Sequence, residues 1–159
     1  MNKNHDSENK PDHSAIQLNQ EASGSTVTIS VMLAVADTPA AADWYKKALG
    51  ATELWSFGPV AGLQIAGATF FLGEPAGNGW ECPGKLGITS ARVEVFCDDP
   101  DNFIAHAVKH GANGSADRIK NHTAPWGIHR QGGFIDPFGH IWLVGDKTPL
   151  RPFPLPTPS

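Results

Sequence analysis

The chain holds seven His, two Cys, twelve Lys plus Arg and sixteen Asp plus Glu. These are the groups that could do chemistry, and their order is poor in catalytic constellations. No Ser–His–Asp order and no Gly-rich phosphate loop stands out. His5 and His13 fall in a polar N-terminal stretch. His106 and His110 fall on the expected outer face of a helix and read as solvated. His122 and His129 flank the loop NHTAPWGIHRQGG, the one place where a histidine could enter a cavity. Cys97 reads as core. Cys82 lies in an expected exposed loop with nothing nearby to activate it. The aromatic groups are richer, with five Trp and eight Phe against one Tyr. Trp80 and Trp126 sit in the Gly/Pro-rich stretches EPAGNGWECPGKLG and APWGIHRQGG. There they can anchor a loop or offer a stacking wall to a flat ligand.

Composition narrows the classes. A length of 159 residues suits one domain or two small modules sharing a core. A net charge of −4 argues against nonspecific nucleic-acid or anionic-membrane binding. No apolar run approaches the ~18 residues of a membrane span. Two cysteines are too few for a disulfide scaffold or a closed thiolate zinc site. Residues 1–25 are polar without an apolar signal-peptide region, so they read as a disordered tail and the chain as cytoplasmic. Residues 149–159, with proline at every second position from Pro152 to Pro158, read as an extended tail.

The elements that must position any site fall in residues 26–148. TVTISVMLAV alternates, with Val27, Ile29, Val31, Leu33 and Val35 on an expected buried face. DTPAAADWYKKALGA reads as a helix, with Asp37 or Thr38 as cap, Pro39 at its start and Gly50 past its end. Ala41, Trp44, Tyr45, Ala48 and Leu49 make its apolar stripe. Short strands follow at Thr52–Ser56, Gly62–Ile65 and Ala68–Leu72. The order then recurs. ARVEVFC is a strand, and DDPDNFIAHAVKHGA a helix capped by Asp99, started by Pro100 and ended by Gly111. Its stripe is Phe103, Ile104, Ala107 and Val108, and strands follow near 115–122, 128–135 and 140–145. Pro39 to Gly50 and Pro100 to Gly111 each span 11 positions. This is an α+β chain of two βαβββ modules, 26–73 and 90–146, joined by a linker at 74–89. Two such modules pair their sheets into a curved, half-open barrel with the helices outside and a cavity on the open face.

That duplicated order, with LAVADTPAAADWYKKALGA early and WGIHRQGGFIDPFGHIW late, resembles the vicinal-oxygen-chelate (VOC) superfamily. Its members include glyoxalase I, extradiol dioxygenases, and fosfomycin- and bleomycin-resistance proteins. The D-x-x-x-A-x-x-W-Y-x-x-x-L-G pattern and the Asp136-Pro137-Phe138-Gly139-His140-x-Trp142 turn look most like its PhnB-like, bleomycin-resistance-like branch. Enzymes of the superfamily hold a divalent metal with His, Gln or Glu on the first and last strand of each module. The matching positions here are Ser30, Phe71, Arg92 and Leu143. Simple transfer of the 61-residue helix offset would give Ala91 in place of Arg92, but Ala91 falls on the buried face. None of the four is a usual ligand, and arginine is a permanent cation. The expectation is no metal and no cofactor.

What remains is an aromatic cleft. Phe71, Phe96 and Leu143 point into it, opposite to Phe70 and Trp142, which turn to the helices. Trp55 lies on a strand whose face the pattern leaves open. Trp80, Trp126 and His129 are loop contributors, and Arg92, Glu94 and Arg130 add polar contacts, with Ser30 at one corner. The resemblance implies a homodimer, and the linker is long enough for module exchange. The first reading is a metal-free protein that sequesters an aromatic or toxin-like small molecule. A second is a glyoxalase-like lyase or isomerase with displaced ligands. A third is a structural or regulatory protein whose cavity is filled by its own side chains.

Overall fold

The computed structural model describes residues 27–115 and 117–151. The expected tail at 1–25 and the proline-rich stretch past Arg151 lie outside the described residues. Module one runs β1 (Met32–Ala34), α1 (Thr38–Leu49), β2 (Thr52–Phe57), β3 (Val60–Ile65) and β4 (Ala68–Gly73). A one-turn helix α2 (Pro83–Leu86) interrupts the linker. Module two runs β5 (Arg92–Phe96), α3 (Pro100–Lys109), β6 (Lys120–Ala124), β7 (Gly127–Ile135) and β8 (Ile141–Gly145), and a 3₁₀ turn follows at Thr148–Leu150. Each module forms a four-stranded mixed sheet. The orders are β1-β4-β3-β2 and β5-β8-β7-β6, with the first and last strand of each module parallel. The expected α+β pair of βαβββ modules is what is found, with the sheets left open.

Local chemistry sets the helices. Asp37 accepts from the Ala40 N–H and Asp99 from the Asn102 N–H, and each helix has Pro in its first turn. Gly50 closes α1 at φ 67°, a left-handed position that favours glycine. The helix-side faces of both sheets share one core with α1 and α3, in which Tyr45, Leu63, Leu72, Phe134, Trp142 and Val144 are fully buried. Trp44 is only half-buried, because its indole Nε1 reaches out to donate to the His110 carbonyl at 2.8 Å. His106 donates from Nδ1 to the Ala48 carbonyl at 2.9 Å, so this exposed histidine ties α3 to the end of α1. Val108, expected on the stripe, is 41% exposed and packs towards Gly114.

Two strands depart from the expected spans. β1 is three residues long, and Val27 (76% exposed) and Ile29 (94%) are not buried. Stepping the Met32–Phe71 register back three residues sets Ile29 level with Ala68, where β4 begins, so residues further upstream have no strand to pair with. β6 starts at Lys120 rather than near 115. The chain before it is used irregularly along β7, through an Asn113–Ile135 bridge and a Gly133 N–H donated to Asp117.

The Asp136–His140 turn clasps the modules together. Asp136 Oδ2 accepts Tyr45 Oη of α1 at 2.6 Å and Trp142 Nε1 at 2.9 Å, while Oδ1 accepts the Phe138 and His140 N–H groups. His140 Nε2 donates to the Ala34 carbonyl of β1 at 2.8 Å. The Gly84 N–H of α2 donates to the Phe138 carbonyl, and Gly139 sits at φ 94° directly against Gly84. This docking buries Cys82, which was expected in an exposed loop, and burial together with the Glu81 carboxylate pushes its thiol pKa up.

Candidate functional site

The open face of sheet one carries an aromatic row. Hydrogen-bonded register aligns Trp55 with Gly62, Gly62 with Phe71 and Phe71 with Met32, across all four strands. Gly62 has no side chain, so the Trp55 indole lies flat on the sheet. A Cβ there would come within 2.7 Å of that ring. Trp55 then meets Phe71 at 5.8 Å between ring centres, tilted 32°, and Phe57 at 6.2 Å. The side of the sheet on which Trp55 sits is set by a β-bulge between Glu53 and Trp55. Glu53 goes to the helix side, where it pairs with Lys46 of α1, and Trp55 is turned to the open side. From the linker, Trp80 packs over Gly73 beside Met32. Ser30 spends its hydroxyl on the Thr69 carbonyl.

The open face of sheet two is more polar. Val35 donates to the Gly73 carbonyl and Cys97 to the Gly145 carbonyl, so the first strands of the modules match at an offset of 62. That register makes Arg92, not Ala91, the counterpart of Ser30. Arg92 and Leu143 line a cavity of about 420 Å³ with Asp117, Gly133, Ile135 and Ile141. Asp117 is a member that sequence reasoning missed, because the irregular segment before β6 carries it there.

His129 is buried over Gly145, on this same face, with its Nδ1 donating to Asp146 at 2.8 Å. Burial opposes ionisation of Asp146. The hydrogen bonds from Thr148, from the Arg130 N–H and from His129 outweigh it and hold the carboxyl well below its usual range. Trp126, in the β6–β7 turn, stands 6.3 Å from the His129 ring. Arg130 alternates to the helix side. There it makes a bidentate pair with Asp101 of α3, both contacts at 2.6 Å, and its third nitrogen reaches Asn121. Arg130 is therefore placed away from the open face. His122 donates to the Gln131 carbonyl at 3.3 Å. Glu94 and Phe96 border a separate cavity at the module junction. The expected residues thus fall into groups: Trp55, Phe71 and Trp80 on sheet one, Arg92 and Leu143 in the sheet-two cavity, Trp126 beside His129, and Glu94 with Phe96 at the junction.

Comparison with known proteins gives this architecture its family. Residues 29–144 match the model of the Glyoxalase/Bleomycin resistance protein/Dioxygenase superfamily. The chain belongs to that superfamily. An uncharacterized protein of Mycobacterium tuberculosis is 32% identical over 133 residues, covering 77% of this chain and 75% of that one. Among solved structures, TioX from Micromonospora sp. ML1 is similar at TM-score 0.57 and 25% identity, covering 76% of this chain and 98% of TioX. A bleomycin resistance determinant encoded on the transposon Tn5 shares the fold at TM-score 0.58 and 17% identity, over 76% of this chain and 98% of its own.

Enzymes of the superfamily place a divalent ion at the corners that Ser30, Phe71, Arg92 and Leu143 hold here. A hydroxyl already donated to Thr69, a phenyl ring, a guanidinium and an isobutyl group do not fit such an ion. Among the described residues, no three of His, Cys, Asp or Glu come together as a possible ion site. Neither is any described helix long and apolar enough to cross a membrane.

Proposed function

We propose that this chain is a metal-free small-molecule binder of the bleomycin-resistance type, which sequesters a flat aromatic or toxin-like ligand. The observation that carries the reading is the row Trp55–Gly62–Phe71–Met32. It offers an apolar bed in which one position is stripped to glycine so that an indole can lie along the sheet. Stacking on such rings contributes about 0.5–1.5 kcal/mol per aromatic pair beyond burial. Arg92 and Asp117, in the cavity of sheet two, are the charges that a ligand reaching over both open faces would meet.

The reading includes a homodimer. Val27, Ile29, Trp55 and Phe57 are exposed apolar groups around sheet one, and a second copy laid over this face would cover them and close the cleft. The linker at 74–89 is long enough for such a dimer to exchange modules, with the same turns joining them.

Tryptophan fluorescence tests the binding, using a panel of planar aromatic compounds with the full chain. Saturable quenching that weakens in Phe71→Ala is expected, and unchanged emission across the panel would favour a cavity filled by the protein itself. Sedimentation at micromolar concentration is expected to give twice the 16.9 kDa chain mass. A stoichiometric transition ion that survives dialysis would instead support a glyoxalase-like lyase or isomerase.

A further inference from the structure

The largest apolar walls left unused by the open-face reading meet at the junction of the two modules. A cavity of about 500 Å³ lies there between the β3–β4 hairpin and β5, beside α3 and the 3₁₀ turn. Phe70, Phe103 and Trp142 form ring walls, and Phe70 and Trp142 meet edge to face at 6.0 Å. Glu94 also borders it, but its register partner is Leu143, so its carboxylate turns to the open face across β5. No other charged residue borders the cavity, so whatever sits there is held by shape and burial. Leu150 forms part of the rim and is 62% exposed. One residue later, Arg151 leaves the 3₁₀ turn at φ −79° and ψ 145°. These are polyproline II values, in keeping with a residue that precedes proline. The sequence that follows, residues 152–158, is PFPLPTP.

We propose that this segment docks in the junction cavity of its own chain, with Phe153 as the anchor. Phe153 follows Leu150 by three residues, a reach of about 9 Å at the polyproline II rise, so its ring can enter from the rim. The segment also matches the cavity in chemistry. It has no ionisable side chain, and four of its seven residues are proline. Proline has no N–H, so burial leaves few donors without a partner. Aromatic-lined grooves bind proline-rich strands in this way, and the polyproline II chain is preformed for it. The tether adds to the match. A segment joined to the rim meets the cavity at an effective concentration in the millimolar range, so contacts too weak to hold a free peptide suffice. Phe70 belongs to module one and Trp142 to module two, so the docked segment lies across the seam between them. The proposal does not rest on the aromatic row of sheet one, because Phe70 and Trp142 lie on the opposite, helix-side faces of the sheets.

The test is NMR of the isotope-labelled full chain, joined to a calorimetric titration with a neutral ring compound, 2-naphthylmethanol. Nuclear Overhauser contacts are expected from the Phe153 ring to the Ala68 and Val95 methyl groups on the cavity lining. Phe153→Ala, which alters no residue of either module, is expected to empty the cavity. The probe should then bind at least about tenfold more tightly to this variant than to the parent, because the tail no longer competes. Absence of those contacts would overturn the proposal. Equal probe affinity in the two proteins would also overturn it, as would no binding to Phe153→Ala at millimolar probe. In a mixture of labelled and unlabelled chains, contacts seen only between copies would assign the cavity to a neighbour's tail and overturn docking within one chain.

Discussion

Tyr45 Oη donates to Asp136 Oδ2 at 2.6 Å, joining the helix of module one to the last hairpin of module two across 91 residues of chain. Both groups are buried, and Asp136 is also held by Trp142 and two backbone N–H groups. A hydrogen bond to a charged group typically contributes about 1.5–3 kcal/mol. Tyr45→Phe is therefore expected to lower the free energy of unfolding in urea by about that amount. Asp136→Ala should cost more, because it leaves the Tyr45 and Trp142 donors buried without an acceptor. A Tyr45→Phe midpoint equal to that of the parent would remove the clasp from the account of stability.

The same tyrosine sets an alkaline limit. Burial first, and the Asp136 carboxylate second, push the Tyr45 hydroxyl well above its ordinary value of 10.0. A group whose pKa is raised by folding stabilises the fold below its unfolded pKa, and that contribution is lost as the pH rises beyond it. Stability should fall above about pH 10. Urea melts in this range should show a shallower fall for Tyr45→Phe.

Asp146 has the opposite sign. Its pKa is lowered from 3.8, so its contribution is present above that value and lost as the pH falls below it. Asp146→Asn is expected to flatten the acid limb of the stability profile. It should also move the NMR signal of the His129 ring protons, because the ring nitrogen Nδ1 loses its carboxylate acceptor. An acid limb identical in the two proteins would show that Asp146 has no linkage to folding.

Gly62→Ala should move Trp55 rather than unfold the chain. The new methyl would stand 2.7 Å from an indole whose residue is 38% exposed, so the ring can swing away into water. A red-shifted tryptophan emission is expected, with the urea midpoint changed by less than about 1 kcal/mol in free energy. Unchanged emission would mean that Trp55 does not rest on Gly62.

Gly139→Ala has no such escape. The residue sits at φ 94°, and its Cβ would meet the Gly84 backbone nitrogen at 2.5 Å. Left-handed strain alone costs about 1–2 kcal/mol for a non-glycine residue. The substitution should also release α2, seen as faster amide exchange at Gly84 and Gly87. Protection unchanged at those two amides would disprove the docking of α2 on the turn.

The parts of this fold that local chemistry decides could be read from the residues. Asp37, Pro39 and Gly50 announce α1, Asp99 and Pro100 announce α3, and strand alternation separates the buried Phe70 and Trp142 from Phe71 and Leu143. Three features escape such reading because a distant neighbour decides them. The bulge at Leu54 turns Trp55, and only pairing with β3 reveals it. Val27 and Ile29 keep a strand pattern but have no strand beside them. Arg130 looks like a cleft cation until the register of β7 puts it opposite α3, where Asp101 takes it. The candidate site was legible in its residue types and not in its grouping. Grouping follows from how the two sheets stack, and no single segment encodes that.

The turn at Asp136–His140 recognises Tyr45 and Ala34 by atoms alone, and those atoms would look the same on a sister polypeptide. The short helical plug at Pro83–Leu86, latched onto Phe138 and fitted against Gly139, ties the linker to that same turn. A change in the length of the linker would therefore be felt at the seam between the modules, without altering a single residue of either sheet.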